Sequence, residues 1–134
     1  MARRAEEVMQ HDQATQKDIL DRGVLLRMAE RADAAFVQQL VRLVVAEMDQ
    51  RLARIAAAAN DRDYSALSRA SHSIAGSAAT VGARRLSTLA RTIEHSSEHS
   101  DPTSWALLPQ LHAVGDATRA AFMTFLDEQE RDRA

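Results

Sequence analysis

Residues 33–60 read DAAFVQQLVRLVVAEMDQRLARIAAAAN, and the spacing of their apolar side chains decides the fold class. Phe36, Leu40, Leu43, Val44, Met48, Leu52, Ile55 and Ala59 recur at steps of three and four, the period of one face of an α-helix. Val37, Val41 and Val45 widen that face, as in a helix buried on more than one side. Asp33 stands where an N-cap carboxylate accepts from first-turn amides. The spacing therefore predicts a long helix from Asp33 to near Asn60.

Toward the C-terminus the same period returns after each polar break. Asn60-Asp61-Arg62-Asp63 is followed by Tyr64, Leu67, Ser71, Ile74, Ala78 and Val81, up to Gly82, which marks a helix end or a sharp bend. Leu86, Leu89, Ala90 and Ile93 form the next stripe, which dissolves into Ser96–Ser100. Asp101-Pro102 reads as an N-cap with a first-turn proline. The last helix carries Trp105, Leu108, Leu111, Val114, Phe122, Phe125 and Leu126, with a kink predicted at Pro109. Toward the N-terminus, Ile19, Leu20, Val24, Leu25 and Met28 predict a short helix weakened by Gly23. Residues 1–17 are polar and predict a tail or a frayed helix. Short connections favour antiparallel neighbours. The expected fold is all-α: an antiparallel up-and-down four-helix bundle over 18–134, with a short N-terminal capping helix.

Composition agrees and excludes several function classes. The 134 residues are 46% hydrophobic and 27% charged, which suits one folded domain. Aromatics are 4%, with four glycines and two prolines, too few strand and turn formers for a sandwich or barrel. A net charge of −2 gives no basic footprint, so nucleic acid is not an expected partner. The absence of cysteine removes disulfides, thiolate nucleophiles and Cys-based zinc sites. No apolar run reaches about 18 residues and no signal peptide is visible, so the sequence predicts no membrane segment and a cytoplasmic protein. A monomer is expected.

The five histidines, at positions 11, 72, 95, 99 and 112, are not equivalent. On a helix, Ile74 lies about 160° and Leu67 about 140° around from His72, so His72 points away from the core. Its own face holds Ser68 and Arg69 one turn before, Ala75 and Gly76 one turn after, and Ala79 beyond them. Two readings of this bare strip stand: room for a large partner to reach the ring, or room for another helix to pack closely. Gly76 calls for a steric reason, because a mid-helix glycine costs about 1 kcal/mol against alanine. His95 and His99 with Glu98 have acceptable metal-ligand spacing but lack a third ligand, so no metal site is predicted. Arg84, Arg85 and Arg91 read as a solvated face that adds at most to docking.

The run Ser71-His72-Ser73-Ile74-Ala75-Gly76-Ser77-Ala78-Ala79-Thr80-Val81-Gly82-Ala83-Arg84-Arg85-Leu86, with Leu89 and Ile93-Glu94 beyond it, resembles the signature of histidine-containing phosphotransfer (HPt) domains. That pattern is His-x-Leu-Lys-Gly-Ser-x-x-x-x-Gly-Ala-x-x-Leu with a later Leu-Glu. The resemblance extends more diffusely from Ile19 to about Phe125. It implies a phosphorelay intermediate that accepts a phosphoryl group on His72 from an aspartyl-phosphate receiver domain and passes it to another receiver. It also implies that Mg²⁺ belongs to the receivers of response regulators or hybrid sensor kinases, so this chain needs no cofactor of its own. Arg69, Gly76, Ser68, Ala75 and Ala79 are then the residues that stabilise the phosphoryl group or dock the partner.

One departure is plain: the family has Lys three residues after the His, where this chain has Ala75. Arg69, on the same helix face, offers a positive charge from the other side. The chemistry asks for little else, since neutral imidazole, with a reference pKa of about 6.5, is a nucleophile at neutral pH without a special base. No Gly-rich phosphate loop is present, so neither an ATP site nor autokinase activity is expected and the chain reads as a phosphoryl carrier. The rival is a degenerate HPt domain or helical interaction module that binds without transfer. Ala75 favours the rival; Gly76 beside an exposed His72 favours the carrier.

Overall fold

A computed structural model describes residues 19–133; the polar segment 1–17, with its expected tail or frayed helix, lies outside the described residues. The elements are α1 (Arg22–Arg31), α2 (Ala34–Asp61), α3 (Tyr64–Thr80), α4 (Arg84–Glu98), the single turn α5 (Thr103–Ala106) and α6 (Leu108–Arg133). No strand occurs among the described residues. Helices α2, α3, α4 and α6 form a closed ring in which α3 packs on α2 and α4, and α6 on α4 and α2. Helix α1 packs on α2 and caps one end. This is the expected four-helix bundle with its capping helix.

The helix starts follow from local chemistry. Asp21, Asp33 and Asp63 each turn a carboxylate onto a first-turn amide, accepting from Gly23 N at 3.1 Å, Phe36 N at 2.7 Å and Ala66 N at 3.0 Å. These bonds satisfy donors that have no partner within the helix. Helix α2 ends at Arg62, whose φ of 52° is left-handed and turns the chain sharply into α3. At the other end of α3, Gly82 takes φ +82°, and its carbonyl accepts from both Asp21 N at 2.8 Å and Arg84 N at 3.0 Å. A Cβ here would lie 2.7 Å from the Asp21 carbonyl oxygen, so only glycine lets α1 enter against the α3–α4 turn.

The core departs from the predicted stripe in one respect. Phe36 and Leu43 are 52% and 56% exposed, and the buried face of α2 runs through Val37, Val41, Val44, Met48, Leu52, Ile55 and Ala58. Both sets satisfy a three-four spacing; in the first half of α2, Val37, Val41 and Val44 face the ring interior, and Phe36 and Leu43 stand on the flank. Phe122, Phe125, Leu67, Leu86, Ile93 and Leu111 are fully buried and fill the centre.

The final helix breaks where its proline demands, but two residues earlier than the ring itself. Pro109 has no N–H to give the Trp105 carbonyl and crowds it, so the chain makes one turn, α5, steps out at Leu107, and restarts at Leu108 with Pro109 in the first turn. Asp101 starts α5 by accepting from Thr103 N at 2.9 Å, and that bond, with the Thr103 side chain, holds its carboxyl below the usual range. The Trp105 ring packs on Tyr64, with centroids 4.9 Å apart, tying this corner to the start of α3.

Candidate functional site

Helix α3 buries Leu67, Ala70, Ser71, Ile74, Ala75 and Ala78 and thereby turns His72 outward at its middle. The His72 side chain is 77% exposed. Its ring does not swing freely: Nδ1 lies 2.9 Å and 3.2 Å from the two carboxylate oxygens of Glu94 on α4. A carboxylate accepts, so in the neutral ring Nδ1 carries the hydrogen and donates it, and Nε2, with no hydrogen-bond partner among the described residues, keeps the lone pair. Glu94 is itself mostly covered, at 19% exposure, which fixes the anchor more firmly than the ring it holds.

The residues of the bare strip part company. Gly76 is exposed, and a Cβ built on it would meet nothing within 4 Å, so no helix of this chain packs there. Ala79 is exposed one turn further on, and Ser68 is half-buried. Ala75 is a correction to the expected open face: it is 3% exposed, and its carbonyl accepts from Ser87 Oγ of α4 at 2.9 Å. The helical angle alone puts Ala75 and Gly76 symmetrically about His72. Tertiary packing breaks the symmetry, because α4 closes against the Ala75 flank and leaves the Gly76 flank open. The strip is therefore closed by α4 on one side of the ring and open on the other.

Arg69 is exposed one turn before His72 and donates to Ser65 Oγ at 2.8 Å. On the α4 side, Arg91, Glu94, His95 and Glu98 line a shallow depression together with His72. The His95 and His99 rings lie against each other, tilted by 53° with centroids 4.6 Å apart, and His99 Nδ1 lies 2.9 Å from the His95 carbonyl oxygen, so the pair is engaged with itself. No cluster of three metal-ligating side chains occurs among the described residues. Glu94 is the site residue that periodicity missed, since nothing within one helix reports which side chain of the next meets the ring. The only trace was the Glu of the Leu-Glu pair in the family pattern.

The sequence profile of the Hpt domain matches residues 39–121. The chain belongs to the Hpt domain family. Hpt domains carry out histidine phosphotransfer in phosphorelays, and their partners are receiver domains. The fold of this Hpt domain is similar to the crystal structure of histidine-containing phosphotransfer protein B (HptB) from Pseudomonas aeruginosa PAO1. The TM-score is 0.75 at 26% sequence identity, over 87% of this chain and 96% of that one. No curated protein matches the chain. Among the described residues of this Hpt domain, no helix is long and apolar enough to cross a membrane.

Proposed function

We propose that His72 is the phosphoryl-accepting residue, taking the group from the aspartyl phosphate of one receiver domain and returning it to the aspartate of another. The observation that carries the reading is the pairing of an exposed ring with a covered carboxylate: Nδ1 is tied to Glu94 and Nε2 is left free. In the forward step the Nε2 lone pair attacks phosphorus, the P–O bond to the receiver's aspartate breaks, and the aspartate leaves as a carboxylate. The ring gains positive charge as the P–N bond forms, and the Nδ1 hydrogen bond to Glu94 balances it. The reverse step restores the neutral ring with the same proton in place. No proton has to enter or leave, so an open surface suffices.

Gly76 and Ala79 leave the approach to Nε2 unobstructed, and Arg69 is the cation on α3 closest in sequence to the ring on its open side. In this reading Ser68 borders the ring, and Ala75 serves by letting α4 bring Glu94 close rather than by touching a partner. The receivers supply Mg²⁺ and the acceptor carboxylate, and the chain itself acts as a carrier in the cytoplasm.

The test is incubation with a panel of purified receiver domains phosphorylated on aspartate, followed by detection of an acid-labile phosphoryl group. Label is expected on His72 and absent from His72→Gln. The variant should melt within a degree or two of the parent, since exposed substitutions stay within about 0.5 kcal/mol. Label that persists in the variant and maps to His95, His99 or His112 overturns the assignment. A chain that binds a receiver without ever becoming labelled establishes the interaction-module reading instead.

A further inference from the structure

On the open side of His72, a groove of about 520 Å³ runs between α2 and α3. Its walls are small and apolar: Ala57 and Ala58 from α2, Ala66 and Ala70 from α3. Three guanidinium groups line it, from Arg51, Arg54 and Arg69, and Ser73, the residue after His72, lies at its edge. The three cations are not equally committed. Arg51 is paired with Glu47 at 3.0 Å, whereas Arg69 bonds only the Ser65 hydroxyl, and Arg54 has no carboxylate within ion-pair distance among the described residues. Asp61 and Asp63 close the groove at the α2–α3 turn, where the Asp63 carboxylate is directed onto its own helix N-terminus. On the far side of His72 the balance shifts, with Glu94 and Glu98 beside a single arginine, Arg91, in the depression against α4. His72 thus stands between a groove in which arginines outnumber carboxylates and a depression in which carboxylates outnumber arginines.

We infer that the α2–α3 groove is the docking site for an acidic segment of the receiver domain, with Arg54 and Arg69 as its anchors, and that the shift in charge balance across His72 sets the partner's orientation. This inference rests on the proposed role of His72. An apolar floor under two uncompensated guanidinium groups concentrates the field toward an anionic ligand, and an alanine floor admits a partner backbone close to the arginines. Guanidinium groups bind carboxylates with two parallel hydrogen bonds, which gives register as well as attraction. A partner turned end for end would lay its acidic segment beside Glu94 and Glu98, with Arg91 alone to offset them, and lose the attraction.

The experiment uses the full chain and the phosphorylated receiver domain that labels it fastest in the panel above. Transfer rates against receiver concentration are compared for the parent, Arg54→Glu, Arg54→Lys and Arg131→Glu, the last matching the charge change on the remote end of α6. At low salt, Arg54→Glu is expected to lower kcat/KM about ten-fold, Arg54→Lys about two- to three-fold, since it keeps the charge and loses the paired hydrogen bonds, and Arg131→Glu to leave it near the parent value. The Arg54→Glu deficit should shrink toward the parent value in about 0.5 M salt, where such fields are screened. Phosphoramidate, a small phosphoryl donor that needs no docking, should label His72 equally in all four proteins. An Arg54→Glu protein that accepts phosphate like the parent at low salt, or whose deficit is as large in high salt, overturns the docking site. A parent that phosphoramidate and every receiver fail to label at His72 overturns the phosphoacceptor reading itself, a different result from either.

Discussion

Nδ1 of His72 is spoken for and Nε2 is not, and this asymmetry comes from one carboxylate on a neighbouring helix. Removing it in Glu94→Ala leaves the ring free to rotate and to present either nitrogen. The lost bond is charge-assisted but joins a ring that is mostly in water, so its contribution is about 1 kcal/mol. Phosphoramidate labelling of His72 should slow several-fold, with helicity unchanged by circular dichroism, and labelling kinetics at equal protein concentration check it. Gly76 makes the opposite demand, for absence. In Gly76→Gln the glycine penalty of roughly 1 kcal/mol is relieved and the new side chain enters open space, so the melting temperature should rise by a few degrees. Receiver-dependent transfer should fall while phosphoramidate labelling persists, because only the larger reagent is obstructed. His72 and Gly76 were legible in the sequence because each violates the local expectation of its helix, one polar opposite the stripe, one flexible in mid-helix. Ala75 and Glu94 were not, since their places depend on how closely α4 approaches α3.

The helices themselves were legible because their signals are local. Asp33 and Asp63 cap the helices predicted to begin beside them, and the break in the last helix belongs to Pro109. What periodicity could not rank was the set of flanking side chains: Phe36 and Leu43 fit the three-four pattern as well as Val37 and Val44 do. Only the neighbours of α2 decide which set turns inward. Gly82 shows a local signal with a non-local reason, since a glycine near a helix end is common, yet here the space belongs to Asp21. Gly82→Ala combines a left-handed φ with a clash against the Asp21 carbonyl. It should lower stability by about 1–3 kcal/mol, measured by thermal unfolding, while His72 remains labelled in the folded fraction.

For the whole bundle, His72 lies on the outer face of α3, across the ring from α6. Phe122 is fully exposed to other side chains and not at all to water, at the centre of the ring. Phe122→Ala should therefore cost about 3–5 kcal/mol, a large share of the 5–15 kcal/mol typical of a domain. Urea denaturation should show a lower midpoint with an unchanged slope, and transfer at temperatures well below the new midpoint should persist. The surface chemistry and the core are separable, since no residue of the His72–Glu94 pair packs in the buried cluster.

The bond from Asp21 to the Gly82 carbonyl also orders events during synthesis. Helix α1 leaves the ribosome ahead of every other described helix, yet its entry is held by a turn translated much later. Arg22 is tied to Glu128, near the end of α6, and that partner emerges later still. A nascent chain halted before Gly82 therefore carries an α1 with no staple and an apolar Leu25 with nothing complete to cover it. The capping helix, earliest of the described helices, is therefore expected to be among the last to settle, open to a chaperone at the exit until the α3–α4 turn has emerged.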